Sequence, residues 1–357
     1  MAMPSATLIP GLVDAHVHLA LALHLPEWDS IEADPVRLAF IAAHNSRLAL
    51  AAGITTLADC GSRFGVAIAV RDAVNRGDVL GPRILSCGPW LTVTNGHGYF
   101  WTRWGLDNAD QLRTGVRQVV WQGADFVKIM ASGGGTRGTT TNRRRAQYSA
   151  DELRLGVEDA HRLGKRVVCH INATEAMQNC VEAGVDVLDH CLWLGSRDGI
   201  IEFDNLAAER AAKKGLFAGM NCSAVFRRLA DRDGTAQAWG TDTTWILHRR
   251  MQAAGVTIYV NTDAGGASFE RGDLLPSYMV RMVNEQLATS HEVIQMVTSI
   301  PAKALGVSDE IGSLETGKQA DMLILEANPL EKMATIMNPL AVIRGGKVVV
   351  EGGLVRG

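Results

Sequence analysis

The chain has 357 residues, is 47% hydrophobic, and sets 35 Lys+Arg against 38 Asp+Glu for a net charge of −3. That balance gives no support for nucleic acid or a membrane surface as partner. No apolar run approaches the ~20 residues that cross a bilayer.

Short β-rich runs alternate with helical patterns along most of the chain. The start, Met1-Ala2-Met3-Pro4, lacks the basic and apolar stretches of a secretory signal. Strands are expected over 8–16, 54–59, 83–87, 125–131, 166–170, 186–190, 216–221 and 257–262. Helical patterns fall between them, as over 35–52, 151–164 and 174–184. Ser149 ahead of Asp151-Glu152 and Asn172 ahead of 174–180 read as helix starts. Glycines at 53, 164, 184 and 255 close the helical patterns before the next strand. Eight strand–helix units predict an α/β fold, a (β/α)8 TIM barrel over residues 1–305. Beyond residue 306, strands over 321–326 and 341–351 with a Gly345-Gly346 turn predict a small β-rich appendage, 306–357.

Two long non-helical stretches, 92–104 and 132–148, follow strand C-termini, the face where barrel active sites form. The first carries His97, Tyr99, Trp101 and Trp104. The second carries Arg137 and Arg143-Arg144-Arg145, read mainly as a solvated charge run and alternatively as a carboxylate clamp. The six cysteines (Cys60, Cys87, Cys169, Cys180, Cys191, Cys222) make no Cys-x-x-Cys pair. They read as reduced, buried thiols of a cytoplasmic protein.

The chemistry-bearing residues sit at strand ends. His16 and His18 alternate on one strand, so both rings point the same way. His170 and His190 each end a strand, as does Asp263. A carboxylate at that position can bind metal and take a proton from water; otherwise it would cap a helix. Lys128 faces a core that disfavours a charge. It can pair with a carboxylate, form a Schiff base, or carry a carboxyl group from carbon dioxide. The last is preferred, because four histidines and one aspartate leave two cations short of a bridging anion.

These residues resemble the amidohydrolase superfamily, specifically its imidazolonepropionase-like branch of dipeptidases and amidases. The likeness rests on Pro10-Gly11-Leu12-Val13-Asp14-Ala15-His16-Val17-His18, Asn95-Gly96-His97-Gly98, the Lys128 strand with its Ala-Ser-Gly-Gly tail, Asp189-His190, 261–265, and Gly312-Ser313-Leu314-Glu315-Thr316-Gly317. It implies that His16 and His18 bind one metal and His170 and His190 another. It implies also that a carboxylated Lys128 bridges them, and that Asp263 binds metal and shuttles protons. Three departures stand out. Nine residues precede Pro10, so an N-terminally reduced β-sandwich is expected; Ile171-Asn172 follow His170 where a histidine or aromatic is usual; Cys191 follows His190 where glycine is common.

The expected activity is hydrolysis of an amide-type C–N bond in a dipeptide, N-acyl amino acid, carbamate or urea. Two zinc ions would activate water as hydroxide, with Asp263 as proton shuttle. His97, Tyr99 and Asn172 are the expected substrate contacts. The partner is a small molecule, without nucleic acid or membrane, and the assembly a homo-oligomer. The rivals are a mononuclear deaminase or cyclic-amide hydrolase, an ester, lactone or organophosphate hydrolase, and an inactive metal- or ligand-binding homologue. A deaminase of this superfamily needs a glutamate three residues past His170, where this chain has Ala173.

Overall fold

The computed structural model describes residues 6–21, 33–134, 142–222, 241–265 and 274–356. Its strands in chain order are β1 (Thr7–Pro10), β2 (Leu12–Val17), β3 (Ile54–Asp59), β4 (Arg83–Ser86), β5 (Val127–Met130), β6 (Val167–Ala173), β7 (Val187–Leu194), β8 (Phe217–Asn221), β9 (Thr257–Asn261), β10 (Met322–Leu325), β11 (Ala341–Arg344), β12 (Lys347–Glu351) and β13 (Leu354–Val355). All eight strands expected of the α/β fold are present as β2 to β9, with helices between them. Two compact units form: Met1–Asp59, Ala69–Leu85 and Tyr259–Gly357 make one; Cys60–Ile68 and Ser86–Ile258 make the other.

In the first unit β2 pairs in parallel with β3, and both strands are buried along their whole length. Burial on both faces is why these strands read as apolar runs without alternation. Val13 packs with Ala302 and Ile311 and donates its N–H to the Val297 carbonyl at 2.8 Å. The helix Pro35–Ala51 starts where the sequence says it should. Asp34 accepts from Val36 N at 2.9 Å and Arg37 N at 3.0 Å, and proline at the first helical position forfeits no bond.

The predicted strand 8–16 is two strands. Thr7–Pro10 leaves β2 at Gly11, whose N–H is held by the Asp321 carbonyl at 2.9 Å, and pairs antiparallel with β10. The small sheet runs β1-β10-β11-β12-β13, so the chain's beginning supplies one of its edges. Hydrophobicity could not reveal the break, because both halves are apolar.

In the second unit β5, β6, β7 and β8 pair in parallel, in sequence order. The helix Ala150–Arg162 opens with the reciprocal Ser149–Glu152 capping box, as Ser149 predicted. The helix Thr174–Ala183 has Ala173 at its cap instead of the expected Asn172. Asn172 belongs to β6, and its side chain is used elsewhere. Among the described residues no helix is long and apolar enough to cross a membrane.

Candidate active site

The first unit gathers His16, His18 and Asp263. His16 Nε2 lies 3.7 Å and His18 Nε2 3.3 Å from Asp263 Oδ1. The imidazoles meet edge to face at 5.3 Å. One ligand atom from each of the three residues falls within 4.8 Å of the others, close enough to share one cation. The backbone fixes this placement: Asp263 N donates to the His16 carbonyl at 2.9 Å, and His18 N to the Ala264 carbonyl at 2.7 Å. Gly265, at φ +91°, lies so close that a Cβ there would meet the His18 carbonyl oxygen at 2.1 Å. Only glycine permits that approach.

Asp14 braces the turn that carries Asp263. It is buried and accepts from Thr262 Oγ1 at 2.6 Å, Thr262 N at 3.1 Å and His16 N at 3.4 Å. Burial pushes its carboxyl up to about 7, against the pull of those three bonds. Asp59 ties down the chain beyond His18, accepting from Leu19 N at 2.9 Å.

The second unit gathers Lys128, His170, His190, His97 and Asn172. The His170 ring stands 4.2 Å from His190 and 4.3 Å from His97. Asn172 Nδ2 lies 2.9 Å from His170 Nε2 and 3.0 Å from the Gly133 carbonyl, while Asn172 N donates to Ser132 Oγ at 2.8 Å. The asparagine expected to face substrate thus holds the His170 ring. Gln147, which the sequence did not single out, clamps the His97 loop to β5. It accepts from His97 N at 2.6 Å and donates to the Met130 carbonyl at 2.6 Å. At Gly134 a Cβ would strike the His97 ring at 2.0 Å, so this glycine makes room for the histidine. Tyr99 is half-buried where the short helix Tyr99–Thr102 begins.

Lys128 and Asp189 form a fully buried pair, with Nζ 2.7 Å from Oδ2. Burial pushes the lysine's pKa down, but the Asp189 charge more than offsets it and leaves the ammonium strongly favoured. Asp189 and His190 are adjacent, so strand alternation would send them to opposite faces. The backbone at His190 (φ 71°) and Cys191 (φ 50°) is left-handed and breaks the alternation. Both residues can then serve one side. Asp263 is also left-handed, at φ 52°. Such strain collects at functional sites. It also explains why glycine would suit position 191.

The arginine run is not simply solvated. Arg144 is buried and donates to Asp198 Oδ1 at 2.8 Å and to the carbonyls of Gly195 at 3.0 Å and Ile200 at 3.1 Å. Arg143 is half-buried, and Arg145 is exposed. Arg137 lies outside the described residues.

Residues 7–349 match the amidohydrolase family model. The chain belongs to the amidohydrolase family. This amidohydrolase is 26% identical to the ochratoxinase of Aspergillus niger over 386 residues, covering 96% of this chain and 75% of that protein. It is 27% identical to the imidazolonepropionase of Streptococcus sanguinis over 215 residues, 58% of this chain and 45% of that protein. A solved Xaa-Pro dipeptidase with methionine in its active site superposes at TM-score 0.83 with 25% identity, over 97% of this chain and 87% of that one. The amidohydrolase is a hydrolase, and its donor set fits the metal use general to the family. Two imidazoles and a carboxylate around one point are the ligands a zinc ion takes.

Proposed function

We propose that this amidohydrolase is a zinc-dependent hydrolase of an amide-type C–N bond in a small molecule, of the dipeptide, N-acyl amino acid, carbamate or urea class. The observation that carries the reading is the convergence of His16, His18 and Asp263 within 4.8 Å. These three residues would hold one ion, and His170 and His190 a second. Zinc bound by such ligands supplies Lewis acidity toward a carbonyl and a nucleophile from water at neutral pH. The rest falls to the chain. Asp263 takes the proton of the attacking water on its carboxylate and returns it to the leaving nitrogen. The Asp14–Thr262 brace keeps that carboxylate turned toward the imidazoles. Asn172 fixes the His170 ring, and His97 lines the same group with its imidazole toward the substrate. Tyr99 supplies an aromatic contact from the adjoining loop.

Lys128 is proposed to be carboxylated in the metal-loaded protein. A carbamate beside Asp189 places two anions in a buried space, which is tolerable only with added positive charge. Carboxylation and metal uptake are therefore coupled, and Lys128 pairs with Asp189 as an ammonium when metal is removed. The reading includes a reducing compartment such as the cytoplasm, which the free, buried thiols support.

The test is hydrolysis by zinc-loaded protein of a panel of acyl anilides, dipeptides, phenylureas and carbamates, alongside esters and phosphotriesters. Amide cleavage that a chelator abolishes and zinc restores is expected. Cleavage confined to esters or phosphotriesters would sink the reading.

A further inference from the structure

Asn221 ends β8, is buried to 5% exposure, and has no hydrogen-bond partner at Nδ2 or Oδ1 among the described residues. A buried amide with both ends idle is rare, because water lost on folding is not replaced. Its position is given by strand register. β7 and β8 pair Val187 with Phe217, Leu188 with Ala218 and Asp189 with Gly219. Asn221 stands two residues past Gly219 and so on the same side of the sheet as Asp189. That side carries the chemistry of the second unit: Asp189 bonds to Lys128, and His170 is its register partner across β6. The corresponding step past His170 on β6 is Asn172, whose amide is engaged by His170 and Gly133. β6 and β8 thus each present an asparagine beyond the histidine level. One is spent on the protein, and the other has no partner among the described residues.

We infer that Asn221 reads the substrate, its Oδ1 accepting from the N–H of a neutral amide, urea or carbamate group while its NH2 meets a neighbouring acceptor. The chemistry favours that class. An asparagine side chain offers an acceptor and a donor side by side, and an amide N–H is the donor its oxygen lacks. A carboxylate has acceptors alone and would set an oxygen against Oδ1. This deepens the amide-hydrolase reading and rests on it.

Asn221→Ala and Asn221→Leu test the inference with a matched pair: the p-nitroanilide and the p-nitrophenyl ester of one N-acetyl amino acid. The ester lacks the N–H. Each variant is expected to lower kcat/KM for the anilide about tenfold more than for the ester, the worth of one well-placed hydrogen bond. The thermal midpoint should stay level or rise, because an orphaned amide has been removed. Equal losses on both substrates overturn the inference, as does a drop in midpoint that accounts for the lost activity. If the wild type cleaves neither substrate, the panel of amides, ureas and carbamates decides the hydrolase reading on its own. Calorimetric binding of N-acetyl-phenylalaninamide then decides the inference separately. Binding by the wild type that the variants lose upholds it; binding kept by the variants, or absent from all, overturns it.

Discussion

Asp263 and His190 are two of the five histidine and aspartate ligands expected from the sequence, and both sit on left-handed backbone. The metal-ligand types were legible because histidines at strand ends have few other uses. Asp14, Asp189, Gln147 and Asn221 were not, because their worth lies in what they touch across the sheet. Period-two alternation in particular hides Asp189 behind His190. Asp263→Asn should keep much of the bound zinc, measured by elemental analysis, and lose roughly a hundredfold or more in turnover, the scale of general acid–base catalysis. Near-normal turnover in the zinc-replete variant would remove Asp263 from the proton path. In metal-free protein Asp189→Ala strands a buried ammonium and should cost about 3–5 kcal/mol in denaturant titration, while Lys128→Met with Asp189→Leu should recover most of it. A double variant no more stable than the single would mean that the pair is not the source. Native-state mass spectrometry of zinc-loaded folded protein, kept at neutral pH in bicarbonate, should show one added carbon dioxide, lost in Lys128→Ala. No such mass in active protein rules out carboxylation.

At the scale of elements, strand runs and the Ser149–Glu152 cap were readable, since they act through neighbours in sequence, whereas Asn172 was misread as a cap because its side chain is taken by His170 and Gly133. The break at Gly11 and the Arg144 clasp were not readable, because each is decided by a distant carbonyl. Arg144→Ala removes the donors to Asp198, Gly195 and Ile200 and should lower stability by about 1–3 kcal/mol, chiefly through the Gly195 carbonyl, since the Ile200 carbonyl keeps the Gly195 N–H at 3.0 Å. An unchanged unfolding midpoint would show that the clasp is dispensable. On the helix Ala150–Arg162, buried Asp159 takes Arg117 at 2.8 Å, Arg162 at 2.9 Å and Arg113 at 3.5 Å. Burial pushes its carboxyl up, but the three guanidiniums outweigh that and hold it below the usual range. A lowered folded pKa means that the stabilisation is full above the unfolded value of about 3.9 and fades as pH falls below it. The gap in thermal midpoint between wild type and Asp159→Asn should therefore be widest near neutrality and close toward pH ~3. A gap that does not vary with pH would assign the effect to packing.

For the whole molecule, the order of eight strands, five ligand-type residues and one lysine was enough to reach the family. It did not reach the substrate; the role proposed for Asn221 rests on a side-chain amide without a partner among the described residues, a signal that exists only in the folded chain. The account stands or falls on metal. Elemental analysis of protein purified with zinc present, paired with its rate on the best amide substrate, tests it most directly. The account predicts about two zinc per chain, with activity rising and falling with zinc content, and with one ion lost in His18→Ala. Full amide hydrolysis at one zinc per chain would contradict the two-ion scheme, and hydrolysis without bound metal would contradict the account itself.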